Sequence, residues 1–254
     1  MLLAVDVGNT QTVLGLYDGE RLRHMWRMAT NKTYTADELR IKVLVLLMAE
    51  EVATDEIRGM SLASVVPRLT VSWTDVCRDL FGCEALVVDA EAAGPLFKTD
   101  YYNPAEIGAD RVADAVAAVA LYGAPVVVVD FGTATNIEIV DDQGFFIGGI
   151  IAPGMETSAN ALFSHAARLA AIELTDPHVA IGRTTDEAVR SGIVYGEAER
   201  VDGLVRRVYG ELGYKAPVIA TGGLAPVVAK ASGSITETNL ELTLVGLRLI
   251  YEAR

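Results

Sequence analysis

Two aspartates sit at the same point of a repeated local pattern. The apolar run 2–5 ends in Asp6-Val7-Gly8-Asn9-Thr10, and the run 126–129 ends in Asp130-Phe131-Gly132-Thr133. An aspartate that closes a buried strand holds its carboxylate at the lip of the sheet, and a glycine two residues on lets backbone come close to a ligand. Asn9, Thr10 and Thr133 add hydrogen-bond donors suited to phosphate oxygens. A carboxylate beside phosphates requires a cation between them, which points to Mg²⁺ at Asp6, directly or through water. Asp130 can bind a cation or orient its loop. One such loop is more often an ordinary strand-to-hairpin turn, but two copies 124 residues apart in a chain of 254 argue for a ligand site. Thr221-Gly222-Gly223, after the apolar run 218–220, is a third piece; its Gly-Gly turn lets an adenine or ribose lie on backbone, although such turns are common.

A different chemistry is offered by Gly108-Ala109-Asp110-Arg111. Asp110 can accept a proton from a substrate hydroxyl, and Arg111 can hold a carboxylate or phosphate. The same pair read blandly is a surface ion pair. Tyr101 and Thr185 flank these pieces, and from local sequence alone they read as a packed tyrosine and an N-cap threonine.

The elements needed to position these residues are legible. Strands are expected at 2–5, 12–17 and 22–28, with Asp18-Gly19 as a turn. Thr35-Ala36-Asp37-Glu38 is a capping box that starts a helix with apolar positions Leu39, Val43, Leu46 and Leu47. A strand at 60–63, a helix ending by Gly82 and a strand at 85–88 complete this half. Strands at 126–129 and 135–140 with a turn at 141–144 begin the second half. At a constant offset of 124, Leu3 meets Val127, Val5 meets Val129, Gly8 meets Gly132 and Asp18 meets Asp142, as in a duplicated β-β-β-α-β-α unit. Asn103, Pro104 and Glu106 carry the signature of a helix start, and that helix is expected to run through Val112, Val116 and Val119 toward Gly123. A helix over 186–211, a strand at 218–220, a short helix and a last amphipathic helix over 242–251 follow. The expected division is 1–103 and 104–254, with the last helix able to pack back on the first half.

Bulk properties restrict the function. The chain is 51% hydrophobic and 22% charged, a globular composition. No apolar run reaches the ~18 residues that span a bilayer, and Asp6 interrupts the only candidate leader. The net charge of −13 carries no basic stripe, so nucleic acid is not an expected partner. Anionic substrates must then be held by backbone N–H groups, a few cationic side chains and bound cations. Cys77 and Cys83 match no common zinc pattern and read as two reduced thiols of a cytoplasmic protein, and the three histidines show no metal-ligand spacing.

Taken together, these motifs resemble the type III pantothenate kinases, a branch of the acetate kinase, sugar kinase, Hsp70 and actin superfamily. The resemblance covers nearly the whole chain. It rests on Asp6-Val7-Gly8-Asn9-Thr10, Tyr101 with Asn103-Pro104, Gly108-Ala109-Asp110-Arg111 and Asp130-Phe131-Gly132-Thr133-Ala134-Thr135. It continues through Gly148-Gly149-Ile150-Ile151-Ala152-Pro153-Gly154, Thr185 before Ser191-Gly192, and Thr221-Gly222-Gly223. It implies an α/β fold of two duplicated actin-like, ribonuclease H-like half-domains with an ATP cleft between them. It implies transfer of the ATP γ-phosphate to pantothenate, with Asp110 as catalytic base and with Tyr101, Gly108, Ala109, Asp110, Arg111 and Thr185 as pantothenate contacts. Phosphate contacts are implied at Asp6, Val7, Gly8, Asn9, Thr10, Gln11, Thr12, Val13 and Thr133. Asp130 is implied as ligand of a monovalent cation, K⁺ or NH₄⁺, and the protein as a homodimer with substrate sites near its interface. Two departures stand out: Asn136 replaces a second threonine, and Leu169-Ala170-Ala171 lacks a proline common there. The alternatives are a kinase for another hydroxylated substrate and a nucleotide-binding accessory protein without catalysis.

Overall fold

The central strand of each half is apolar along its whole length, which means that it is covered on both faces. The computed structural model, which describes residues 1–165 and 172–254, bears this out for both strands. Leu169-Ala170-Ala171 lies outside the described residues. The chain forms two compact units, Met1–Ala117 with Leu242–Arg254, and Ala118–Glu241.

In the first unit, β1 (Leu2–Val7), β2 (Gln11–Asp18) and β3 (Arg21–Ala29) form an antiparallel meander, and β4 (Gly59–Ser64) and β5 (Ala85–Val87) continue it in parallel, in the order β3-β2-β1-β4-β5. Leu3, Val5 and Val7 point into a core shared with Leu39, Val43 and Leu47 of α1 (Ala36–Ala49) and Leu69, Trp73 and Val76 of α2 (Pro67–Phe81). Strand alternation places Ala4 and Asp6 on the other face. Against the sheet lies α7 (Leu242–Glu252), packed on β1, β2 and β4. The capping box is present: Glu38 N–H donates to Thr35 Oγ1 at 3.3 Å, and Thr35 N–H to Glu38 Oε2 at 2.9 Å.

The two-residue strand β6 (Lys98–Thr99) precedes α3 (Ala109–Tyr122). In the second unit β7 (Val126–Phe131), β8 (Ala134–Val140), β9 (Phe145–Pro153), β10 (Val218–Thr221) and β11 (Glu237–Thr238) repeat the pattern in the order β9-β8-β7-β10-β11, again with a meander followed by parallel strands. Val127, Val129 and Phe131 face Val194, Ala198, Val201 and Val205 of α5 (Thr185–Leu212). The smaller helices α4 (Met155–His165) and α6 (Ala225–Val228) complete the unit. The five strands of each unit share one order, which makes this a duplicated actin-like α/β fold.

Three details differ from the sequence expectations. First, the repeat does not keep a constant offset. Leu2 pairs with Tyr17 in one hairpin, whereas Val126 pairs with Val140 in the other. The second loop is one residue shorter, so Asp18 corresponds to Asp141 and not to Asp142. Second, Asn103 caps only a 3₁₀ turn, Pro104–Glu106, and Ile107 is extended at ψ 121 before α3 begins. Third, the units divide inside α3, after Ala117, rather than at residue 103. The beginning of α3 stays with the first unit because the Ala113 backbone lies directly against Gly246 of α7.

Candidate active site

The loop between β1 and β2 is a tight one. Gly8 N–H donates to the Gln11 carbonyl at 3.0 Å, and Asp6 sits in register with Val13. Val7 and Thr12 are buried, Asp6, Gly8 and Val13 are half-buried, and Asn9, Thr10 and Gln11 are exposed at the tip. The Thr12 hydroxyl shares a hydrogen bond with Thr30 at 2.8 Å, so it braces the loop from below. A residue not singled out in the sequence joins the tip: Lys32 Nζ donates to Asn9 Oδ1 at 2.9 Å.

Because Ile107 breaks the chain direction, Gly108 becomes the residue whose carbonyl accepts the first α3 bond, from Val112 N–H at 3.1 Å. Glycine has no side chain with which to cap a helix. Asp110 folds back instead, and its Oδ1 accepts the Arg111 N–H at 2.9 Å. The carboxyl occupies the space a Cβ on Gly108 would need: such an atom would lie under 3.0 Å from Oδ1. Burial pushes the Asp110 carboxyl above the usual carboxylate range, and the amide and charge of Arg111 only partly offset it. Arg111 is buried at 7% exposure, which excludes a surface ion pair. Tyr101 is half-buried on the segment leading to this turn, and its N–H donates to Thr99 Oγ1 at 3.0 Å.

In the second unit, Gly132 N–H closes the short loop on the Ala134 carbonyl at 3.0 Å, leaving Thr133 exposed. The turn after β10 meets this loop. A Cβ on Gly222, whose φ is +90, would stand 2.5 Å from Asp130 Oδ1 and 2.6 Å from the Phe131 carbonyl oxygen, so these two oxygens converge on one small volume. Asn136 is the direct cross-strand partner of Asp130. The loop is also held from behind. Gly154 N–H donates to the Thr133 carbonyl at 3.1 Å and Thr157 Oγ1 donates to it at 2.6 Å. Arg200 donates to the Pro153 carbonyl at 2.7 Å, pairs with the buried Glu197, and Thr135 Oγ1 donates to Glu197 Oε1 at 2.6 Å. Glu197 and Arg200 carried no sequence signal beyond their place in a long helix.

Thr185 is exposed as the first residue of α5, and the N-cap is Thr184, whose Oγ1 accepts from Glu187 N–H at 3.2 Å. The sites thus form local groups: Asp6–Val13 with Lys32; Tyr101 and Gly108–Arg111; Asp130–Thr133 with Gly154 and Gly222; and Thr185 apart.

Residues 2–207 match the family model described as type III pantothenate kinase. The chain belongs to the type III pantothenate kinase family. A type III pantothenate kinase of Thermomicrobium roseum is 44% identical over 99% of this chain and 97% of its own length, and one of Frankia alni is 46% identical over 99% of each. Among solved structures, the ethanolamine utilization protein EutJ from Carboxydothermus hydrogenoformans aligns with a TM-score of 0.60 at 17% identity, covering 98% of this chain and 89% of that one. At that identity the likeness concerns the fold.

Proposed function

We propose that this chain transfers the γ-phosphoryl group of ATP to the hydroxyl of pantothenate, giving 4′-phosphopantothenate at the entry to coenzyme A biosynthesis. Family membership supports the substrates, and Asp110 is the observation at the site that carries the chemistry. A carboxylate of raised pKa is a better base than an exposed one, and it is fixed at a helix start by its own backbone bond to Arg111. Phosphoryl transfer has a loose transition state, so positioning and charge neutralisation supply most of the catalysis. In this reading the Asp6–Val13 loop and Thr133 hold the nucleotide phosphates. Asp110 orients the acceptor hydroxyl and takes its proton late. Tyr101, Gly108, Ala109, Arg111 and Thr185 contact pantothenate.

The residues fit the cations the reaction calls for. Mg²⁺ is commonly held by one or two carboxylates together with substrate phosphates, and Asp6 suits that role; when bound, it neutralises phosphate charge. Asp130 Oδ1 and the Phe131 carbonyl are hard oxygen donors converging on one volume, a donor set suited to K⁺ or NH₄⁺, with Asn136 beside it. The reading also includes a homodimer, as the resemblance implies, and a cytoplasmic location, in keeping with the free thiols of Cys77 and Cys83.

An ADP-release assay with and without pantothenate tests it. ADP formation is expected only with pantothenate, and faster in K⁺ or NH₄⁺ than in Na⁺. Turnover with a different hydroxylated acceptor but not with pantothenate refutes the substrate, and tight ATP binding without turnover supports an accessory protein.

A further inference from the structure

The chain has an acidic excess of 13 charges, yet the tip of its first glycine loop carries no cation of its own: Gly8, Asn9, Thr10 and Gln11 are all neutral. The fold brings one in. The turn from β3 into α1 is tied to the loop at three points: Thr30 N–H donates to the Thr10 carbonyl at 2.9 Å, the Thr12 and Thr30 hydroxyls bond at 2.8 Å, and Lys32 Nζ donates to Asn9 Oδ1 at 2.9 Å. The turn is itself rigid. Asn31 Oδ1 accepts both the Thr33 N–H at 3.0 Å and the Thr33 hydroxyl at 2.7 Å, Tyr34 N–H donates to the Asn31 carbonyl at 3.1 Å, and the Thr35–Glu38 capping box follows at once. Lys32 is therefore held against the loop by the turn that carries it as well as by its side chain.

We infer that Lys32 is a nucleotide-binding residue of the Asp6–Val13 loop, setting the Asn9 amide and adding positive charge for the phosphates. A lysine ammonium has three donors and no acceptor. Only the Asn9 oxygen can face it, so the Asn9 NH₂ is turned away from Lys32 and offered as a donor. The two remaining ammonium hydrogens and the full charge stay beside the exposed tip. Lysine binds phosphate as a point charge and so tolerates a moving polyphosphate chain.

The inference rests on the reading that this loop holds ATP, and its test separates the two. Lys32→Met, Lys32→Arg and wild type are compared for KM of ATP, KM of pantothenate and direct binding of a fluorescent ATP analogue at 25 and 300 mM salt. Lys32 is exposed, so the variants are expected to fold, and a thermal melt checks it. Losing a charge-assisted contact of this kind is expected to weaken ATP by about 5- to 20-fold. Lys32→Met should show that loss at low salt, with pantothenate KM within about twofold, and a flatter salt dependence than wild type because the screened charge is gone. Lys32→Arg should recover most of the affinity. ATP affinity unchanged in Lys32→Met, or a loss equal at both salts, overturns the inference while leaving the proposed function intact. A wild type that binds the analogue but does not phosphorylate pantothenate sinks the function, and the variants still rank for Lys32. A wild type that binds no analogue removes both.

Discussion

Gly108→Ala tests the catalytic geometry without touching any group that reacts. A Cβ at this position would sit under 3.0 Å from Asp110 Oδ1, closer than real Cβ atoms come to a neighbour. The contact is with the end of a side chain, so the carboxyl can rotate away, and ordinary contact is restored by a swing of about 1 Å. Stability should change by less than about 1 kcal/mol, the scale of a surface or cap substitution. Turnover should not be spared: a misplacement of ~1 Å in a reacting geometry costs on the order of 10²-fold. Asp110→Asn, which removes the base, should lower kcat by roughly 10²-fold or more, with ATP binding nearly unchanged. The assay is a double-mutant cycle on kcat. Gly108→Ala and Asp110→Asn should each lose about two decades, and the double variant should lose no more than Asp110→Asn alone, because the displaced group is already gone. A Gly108→Ala enzyme with kcat within threefold of wild type refutes the reasoning, as does an additive double variant. A rise in pantothenate KM with kcat intact would make Gly108 a substrate contact only.

Two further outcomes follow from the same structure. Burial holds the Asp110 pKa above its ordinary 3.8, so the native state binds protons more tightly than the unfolded chain, and stability falls as pH rises from 3.8 through the native value; Asp110→Asn should therefore melt higher than wild type at pH 7 and lose that advantage near pH 4, and a lower melting point at pH 7 would refute it. Gly222→Ala combines a φ of +90 with atoms 2.5 Å and 2.6 Å from the new Cβ, both on the Asp130 loop, so it should cost more than about 2 kcal/mol; a melting point within about 2 °C of wild type would show that the turn yields freely.

Much of the fold was readable because its central strands are buried on both faces. Residues 2–5 and 126–129 have no polar alternation to confuse with a helix, and each stops at an aspartate and a glycine. What failed was finer. Asn103-Pro104-Ala105-Glu106 has every mark of a helix start, but the cap closes a 3₁₀ turn, since nothing in the signature tells one turn from four. The second hairpin lost one residue, which a fixed-offset comparison cannot register. The β9 strand was recognisable only as a family motif, because Gly148-Gly149 interrupts its pattern. Lys32 and Asn9 are 23 residues apart, and Arg200 and Pro153 are 47 apart; such contacts depend on the register of whole elements and leave no local trace.

The return of α7 to the first unit has a consequence in time. One face of β1 and β4 is covered by a helix that leaves the ribosome only after all of Ala118–Glu241 has been made. At bacterial or eukaryotic elongation rates that interval is on the order of ten seconds. During it, the strand that ends at Asp6 has one face uncovered, which a chaperone can hold and a protease can find. The strand that is made first is thus among the last to be packed on both faces.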